Sequence, residues 1–495
     1  MSRRRPLRGG HLAARCRARL CTLGALMSIP LVRIQDHVLP APGRADLPEP
    51  VSLWRMVGPS VILAGLSIGS GEFVLWPRLV AEYGFAVFWG CWVGVSIQFF
   101  LNMEIERWTL VTGESAVVGF IRLSSVFGPV FLLCGTLPWV WPGWATGAAT
   151  LLHWELGLPV TAVSIASLVL CGAILSLGPV VYRTVEVIQL VLVAGIAVLL
   201  VTLVVAIVRW ETVEALLAGA VRIGEVPDGI ELPLLFGALA FAGAGGSINL
   251  AQSNYIGDKG YGMGRWVGRI TSPFTGREEG AGHIGFVFEG TDENLVRWRG
   301  WWRRSNAEHF ASFFALCLMT LTLFCLLSAS LLGTGSPSEG FGFIADEANA
   351  LAERFGPGAR RVFLGIGVAV LFTTELALLD AVARVAADVL KMGVLRRFDL
   401  SLSWLYFGGV WSLIAFGIVV LSLGFDEPLA MLILSAALNG FVMFLYSGLL
   451  LWMNIRCLLP PLRPSPLRIT ALIVALCFYG YFSILTFFDQ LSRIR

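Results

Sequence analysis

The chain is 495 residues long, 56% hydrophobic and only 14% charged, with a mean hydropathy of +0.77. A soluble body of this size cannot bury so much apolar side chain, so the composition implies an all-α integral membrane protein whose outer surface faces lipid. A net charge of +3 is too small to point to nucleic acid, and nine cysteines without a CxxC pair exclude a zinc or disulfide framework.

Residues 1–50 differ from the rest. "MSRRRPLRGGHLAARCRARL" is Arg-rich, a short apolar stretch follows, and "LPAPGRADLPEP" approaches the first long apolar run. A basic start before a short apolar core has the pattern of a signal peptide. A disordered basic tail, or an upstream extension with the start at Met27, fits better with a cytosolic N-terminus.

Eleven apolar segments of roughly 20 residues follow, each long enough to span a bilayer. They fall near 57–82, 85–107, 126–150, 158–178, 184–208, 232–256, 308–332, 361–390, 403–423, 427–455 and 468–488. With the N-terminus inside, Lys and Arg gather in the cytoplasmic loops, eight of them between Lys259 and Arg304. Acidic residues gather on the other face, among them Glu211, Glu214, Glu225, Glu339, Asp346 and Glu353. The odd number of spans leaves the C-terminus outside. The longest cytoplasmic loop, 257–307, contains "RWRGWWRR", whose tryptophans and arginines suit an anchor at the headgroup level.

The first span reads "LSIGSGEFVLWP", with Gly69, Ser70 and Gly71 directly before the carboxylate of Glu72. The sixth reads "LLFGALAFAGAGGSINLAQSNYIG", with Gly243, Gly245 and Gly246 at its centre. Two spans weakened at mid-depth, five spans apart, are the pattern of a five-plus-five inverted repeat with a binding site where the broken helices meet. The repeats then cover about 57–208 and 232–455, with an extra helix at 468–488. Glycines also serve tight helix packing. Glu72 in one break, and Ser247, Asn249 and Gln252 after the other, favour a site, because a charge at mid-membrane costs at least ~2.5 kcal/mol. The candidate substrate residues are Gly69, Ser70, Glu72, Gly246, Ser247, Asn249 and Gln252, with Glu72 the candidate metal ligand.

The eighth span holds Glu375, Asp380, Arg384 and Asp388. The last three stand at i, i+4, i+8, which predicts an acid–base–acid ladder of structural role. Glu375 sits two turns deeper and joins Glu72 as a candidate proton carrier. Arg183 and Glu186, at the start of the fifth span, suit a gate or a fold-locking ion pair. The histidines, His11, His37, His153, His283 and His309, fall in the tail, loops or span ends, so proton movement is expected to use carboxylates. Trp139, Trp141 and Trp144 can form packing or a cation–π wall. Gly65-Leu66-Ser67-Ile68-Gly69 meets G-x-S-x-G only formally, with neither a strand-to-helix elbow nor a histidine near it in sequence, and there is no P-loop; no enzymatic activity is expected.

Several stretches resemble the Nramp divalent metal transporters, which have the LeuT-type fold. "GPSVILAGLSIGSGE" at 58–72 is similar to that family's first span, which breaks at Asp-Pro-Gly-Asn. "LVTGES" at 110–115, "YRTVE" at 182–186 and "NIRCLLP" at 454–460 resemble its Val-Thr-Gly, Tyr-Arg-x-x-Glu and Asn-x-Arg stretches, in the same order. The resemblance implies a secondary transporter of a divalent cation, with no cofactor and with lipid and a small ion as its partners. The departures fall on the ligands. Gly69 to Glu72 replace Asp-Pro-Gly-Asn, and Gly246-Ser247-Ile248 replace Met-Pro-His. The third span, "CGTLPWVWPGWATG", has tryptophans and prolines where the family has carboxylates. What remains is an all-oxygen set, suited to a hard cation such as Mg2+ rather than to Fe2+ or Mn2+. Alternatives are a small organic solute carried by the same architecture, or a membrane sensor that transports nothing.

Overall fold

Proline and glycine punctuate a chain that is otherwise helical. A computed structural model describes residues 31–34, 38–177, 181–270, 284–335, 337–398 and 400–494. His11, His37, His283 and both methionines considered as starts lie outside them. The first half comprises α1 (Pro59–Ser67), α2 (Trp76–Tyr83), α3 (Trp89–Thr112), α4 (Ala116–Leu123), α5 (Phe127–Thr136), α6 (Gly143–Leu156), α7 (Val160–Leu177), α8 (Val181–Ile207) and α9 (Trp210–Ala220). The second comprises α10 (Leu232–Ala240), α11 (Gly246–Lys259), α12 (Asp292–His309), α13 (Leu316–Leu332), α14 (Gly342–Phe355), α15 (Pro357–Val389), α16 (Leu402–Ser422), α17 (Pro428–Cys457) and α18 (Pro466–Ile494). Prolines open α1, α10, α15, α17 and α18, where a missing N–H costs no helical bond.

Among the described residues, eight helices are long and apolar enough to cross a membrane. They account for eight of the expected spans. The other three are α3, which carries Glu104, Glu106 and Arg107 near its end, and two pairs that are interrupted at mid-length, α5 with α6 and α10 with α11. The first span is buried along its length, whereas α7, α8 and α18 expose apolar faces such as Leu170, Val198, Val205 and Phe488. That contrast is what lipid contact requires. Around the buried span, α8 packs on α1, α13 on α2, α3 on α11, α6 on α15 and α10 on α17.

Two expectations for the segments outside the spans are corrected. Residues 38–50, expected to belong to a disordered tail, are folded onto α12. Leu47 is buried, its amide donates to Asn294 Oδ1 at 3.0 Å, and Trp301 Nε1 donates to the Pro48 carbonyl at 2.8 Å. A short parallel pair joins β1 (Gly43–Arg44) to β2 (Phe286–Val287). The expected loop 257–307 is helical from Asp292, and α12 runs on through a π-helical turn, Phe310–Ala315, into α13. Trp298 and Trp301 are therefore buried against protein, and only the rim of "RWRGWWRR" is left to meet headgroups.

Candidate substrate site at two interrupted spans

The break expected in the first span takes the form of a wide helix. Ile68–Leu75 is π-helical and joins α1 to α2 without unwinding. A π turn leaves one backbone offset per turn out of α-helical register, and such turns recur at functional positions. Gly71 faces the sixth span so closely that a Cβ there would lie 1.7 Å from the Phe241 carbonyl oxygen. Gly69 meets α15 in the same way, with Thr374 Oγ1 at 1.9 Å from its would-be Cβ. Ser70's side chain lies outside the described residues.

Glu72 is fully buried. Ser67 Oγ donates to its Oε1 at 2.6 Å, and the Thr320 hydroxyl, from α13, donates to Oε2. Both carboxylate oxygens are thus held by hydroxyls, a set of neutral donors that suits either an anion or an oxygen ligand waiting for a cation.

The sixth span is interrupted outright. Helix α10 stops at Ala240, and α11 starts at Gly246, after Gly245 at φ 75° and with Gly246 at φ 55°. These angles favour residues without a Cβ. One side chain from α3 bridges the gap: Gln98 Nε2 donates to the Ala240 carbonyl at 2.9 Å, and the Gly245 amide donates to Gln98 Oε1 at 3.0 Å. Gln98 therefore replaces helical bonds that the break removes. Ser247 Oγ donates to the Gly135 carbonyl at 3.0 Å and accepts from Trp139 Nε1 at 2.8 Å. Trp139 also stacks on Phe241, with centroids 5.5 Å apart and planes 12° apart. The prolines noted in the third span thus mark a third interruption, between α5 and α6, that is folded over the sixth.

The remaining candidates disperse. Gly246 faces Asn439 Oδ1, which accepts from the Ser247 amide at 3.3 Å. Asn249 Nδ2 donates to Tyr446 OH at 3.0 Å and leaves its buried Oδ1 without a partner. Gln252 Nε2 donates to Glu106 Oε2 at 3.3 Å. Glu375 lies against the Ala145 amide in the first turn of α6, where a helix N-terminus favours an anion, and its Oε2 has no partner. Glu72 has its partners on α1 and α13, so the two candidate proton carriers face different helices. Among the described residues no three His, Cys, Asp or Glu side chains are grouped as a metal site. Sequence reading missed Gln98, Thr320, Asn439 and Glu106. Their polarity within apolar spans was visible; their partners, far along the chain, were not.

No protein-family model and no curated protein matches the sequence. Solved structures do match the fold. Two mutants of the Eremococcus coleocola manganese transporter superpose with TM-scores of 0.68 and 0.67, each over 91% of this chain and 90% of theirs, at 12% identity. A nucleobase-cation-symport-1 family transporter covers 90% of this chain and 94% of its own at a TM-score of 0.48 and 12% identity. The chain has the LeuT-type transporter fold.

Ion pairs tie the second half of the sixth span to its neighbours, and two of them differ from the expected pairing. Arg384 joins Asp380 at 2.9 Å as predicted, but its other partner is Asp258 of α11, at 2.5 Å, rather than Asp388. Asp388 instead accepts from Asn254 Nδ2 at 2.7 Å. Tyr406 OH completes the cluster, donating to Asp380 at 2.6 Å. Arg183 is exposed, and Glu186 pairs with Lys259 of α11. Lys259 also donates to the Val57 carbonyl at 2.6 Å, just before α1. Both corrections have one cause: spacing along a helix shows which groups share its face, not which helix covers that face. His309, expected at a span end, is fully buried there, with its Nδ1 2.8 Å from Ser60 Oγ near the start of α1.

Proposed function

We propose that the protein is a secondary-active transporter of the Nramp-like type that moves a hard divalent cation, such as Mg2+, across a bacterial-type plasma (inner) membrane in symport with protons. The observation that carries this reading is Glu72, a buried carboxylate in the π-widened centre of the first span, directly after the glycine that abuts the sixth-span break. The likeness of the fold to a manganese transporter supports a metal cargo. The donor set supports a harder one: a single carboxylate, hydroxyls, amides and carbonyls, with neither Met sulfur nor His at the break. Inverted repeats would let the π-widened first span and the interrupted sixth expose this point to either side in turn, with the N-terminus in the cytoplasm and the C-terminus outside.

Mg2+ and Mn2+ uptake into proteoliposomes tests the reading. The expected result is Mg2+ uptake that Glu72→Gln abolishes and that rises with an inward proton gradient. Folded, inserted protein that carries neither ion would overturn it. One observation favours a second reading, a small organic solute: Trp139 and Phe241 stack at the break itself and offer a flat apolar wall. Uptake of organic cations, lost in Trp139→Ala and indifferent to Mg2+, would establish that reading instead.

A further inference from the structure

A polar cluster separate from Glu72 lies where α1, α3, α11 and α12 meet. Ser60 Oγ stands 2.6 Å from Glu308 Oε2 and 2.8 Å from His309 Nδ1. A hydroxyl has one proton. If it donates to the Glu308 carboxylate, Nδ1 must carry the proton that it accepts, and Nε2 is then the bare nitrogen. If Glu308 is protonated, the chain reverses: the carboxyl donates to Ser60, and Ser60 donates to Nδ1. The three groups therefore have two hydrogen-bonded states, of opposite bond direction, and the second holds one proton more than the first.

The surroundings favour a purpose over packing. Glu308 is 4% exposed and His309 0%, yet His309 Nε2 and Gln252 Oε1 are buried without hydrogen-bond partners, while the Ser305 and Ser312 hydroxyls lie against the Glu106 and Glu308 carboxylates. Leaving such a group unpaired is costly, and native proteins keep few of them. Glu106 of α3, which is bonded to Gln252, lies close enough to Glu308 to interact with its charge. The charged and titratable groups that face the cluster are Lys259 from α11, Arg468 from α18, Tyr261 from the turn after α11, and Tyr182 with Glu186 from α8. Glu104 and Arg107, also on α3, are paired with each other at 2.7 Å. Two carboxylates beside one imidazole, with these cations mostly engaged elsewhere, make a place where one proton is held and passed.

We propose that Glu308, Ser60 and His309, fed by Glu106, form the wire that carries the coupling proton on the side of the membrane occupied by residues 38–50. The proposal rests on the proton-symport reading above. In the forward step the Glu308 carboxyl gives its proton to Ser60 Oγ as Ser60 gives its own to His309 Nδ1. This leaves a carboxylate and an imidazolium, and the Nε2 proton then passes to water admitted when α1 or α11 moves, which returns the ring to neutrality. The wire is joined to the π-widened first span through Ser60 in α1 and to the interrupted sixth through Gln252 in α11, so a movement of either makes or breaks it.

Two measurements on the purified full chain test it. Infrared difference spectra across pH steps should show the C=O stretch of a protonated buried carboxyl, lost in Glu308→Gln, shifted in its titration by Ser60→Ala and His309→Gln, and unchanged in Glu347→Gln, a buried carboxyl elsewhere. In proteoliposomes driven with Mg2+ or Mn2+, Ser60→Ala should retain cation flux and lose the accompanying proton movement. The wire is overturned by Ser60→Ala with wild-type spectra and full coupling, or by wild-type protein without any titrating buried carboxyl. Wild-type protein that carries no cation but shows the carboxyl band would sink the transport reading and leave the wire standing. Where a variant does not fold, a wild-type spectrum without a titrating buried carboxyl still overturns the wire.

Discussion

Glu72 shows how far a single residue can be read. Its charge, and the small residues before it, were plain in the sequence as an anomaly within an apolar run. The hydroxyl that holds it, on Thr320, is 248 residues away, and nothing in local spacing points there. The glycines were legible as a weak point, but low helix propensity does not say whether the backbone unwinds or widens to a π turn. The contacts now discriminate between glycines. Gly71→Ala must displace the Phe241 carbonyl, and an overpacked site of this kind costs about 1–3 kcal/mol or more. Gly257, in α11, has open space where a Cβ would go. Gly257→Ala is expected to leave stability unchanged or raise it by up to about 1 kcal/mol, since Ala is the better helix former. Thermal unfolding of the two variants in detergent measures the contrast, and equal melting temperatures would contradict it. At Gln98, Leu keeps the volume and removes both bonds across the sixth-span break; a loss of about 1–3 kcal/mol per stranded group is expected in the same assay.

At the scale of elements, all eleven expected spans correspond to helices, because lipid demands long apolar runs and those leave a strong trace. The ladder on α15 was half legible. Arg384 and Asp380 are one turn apart and pair as spacing predicts, whereas Asp258 belongs to a helix whose position depends on the tertiary fold. Removing one member of such a buried set strands the rest, at about 3–5 kcal/mol, while replacing the whole set by apolar residues is often neutral. Asp258→Asn alone should therefore destabilise more than the triple variant Asp258→Leu, Arg384→Met, Asp380→Leu, with Tyr406 left to face an apolar neighbour. A denaturation series over single and multiple variants checks the order; purely additive losses would mean that the cluster is not a unit.

For the whole molecule, the latches converge on one element. Helix α11 is tied to α15 through Asp258 and Asn254, and to α8 and the entry of α1 through Lys259. Its other end is the sixth-span break, where Gln98 and Asn439 hold the backbone. A rigid half-helix pinned at one end by ion pairs, with a glycine joint at the other, is the kind of element that moves when a LeuT-type fold opens. If so, the latches set the population of the open state rather than merely its stability. Asp258→Asn and Lys259→Met should speed deuterium uptake over residues 246–259 and over the entry of α1, and leave α16 and α18 at wild-type rates. Uniformly faster exchange along the chain would instead mark these pairs as general supports of the fold, and unchanged exchange in α11 would show that the break, not the latches, governs its motion.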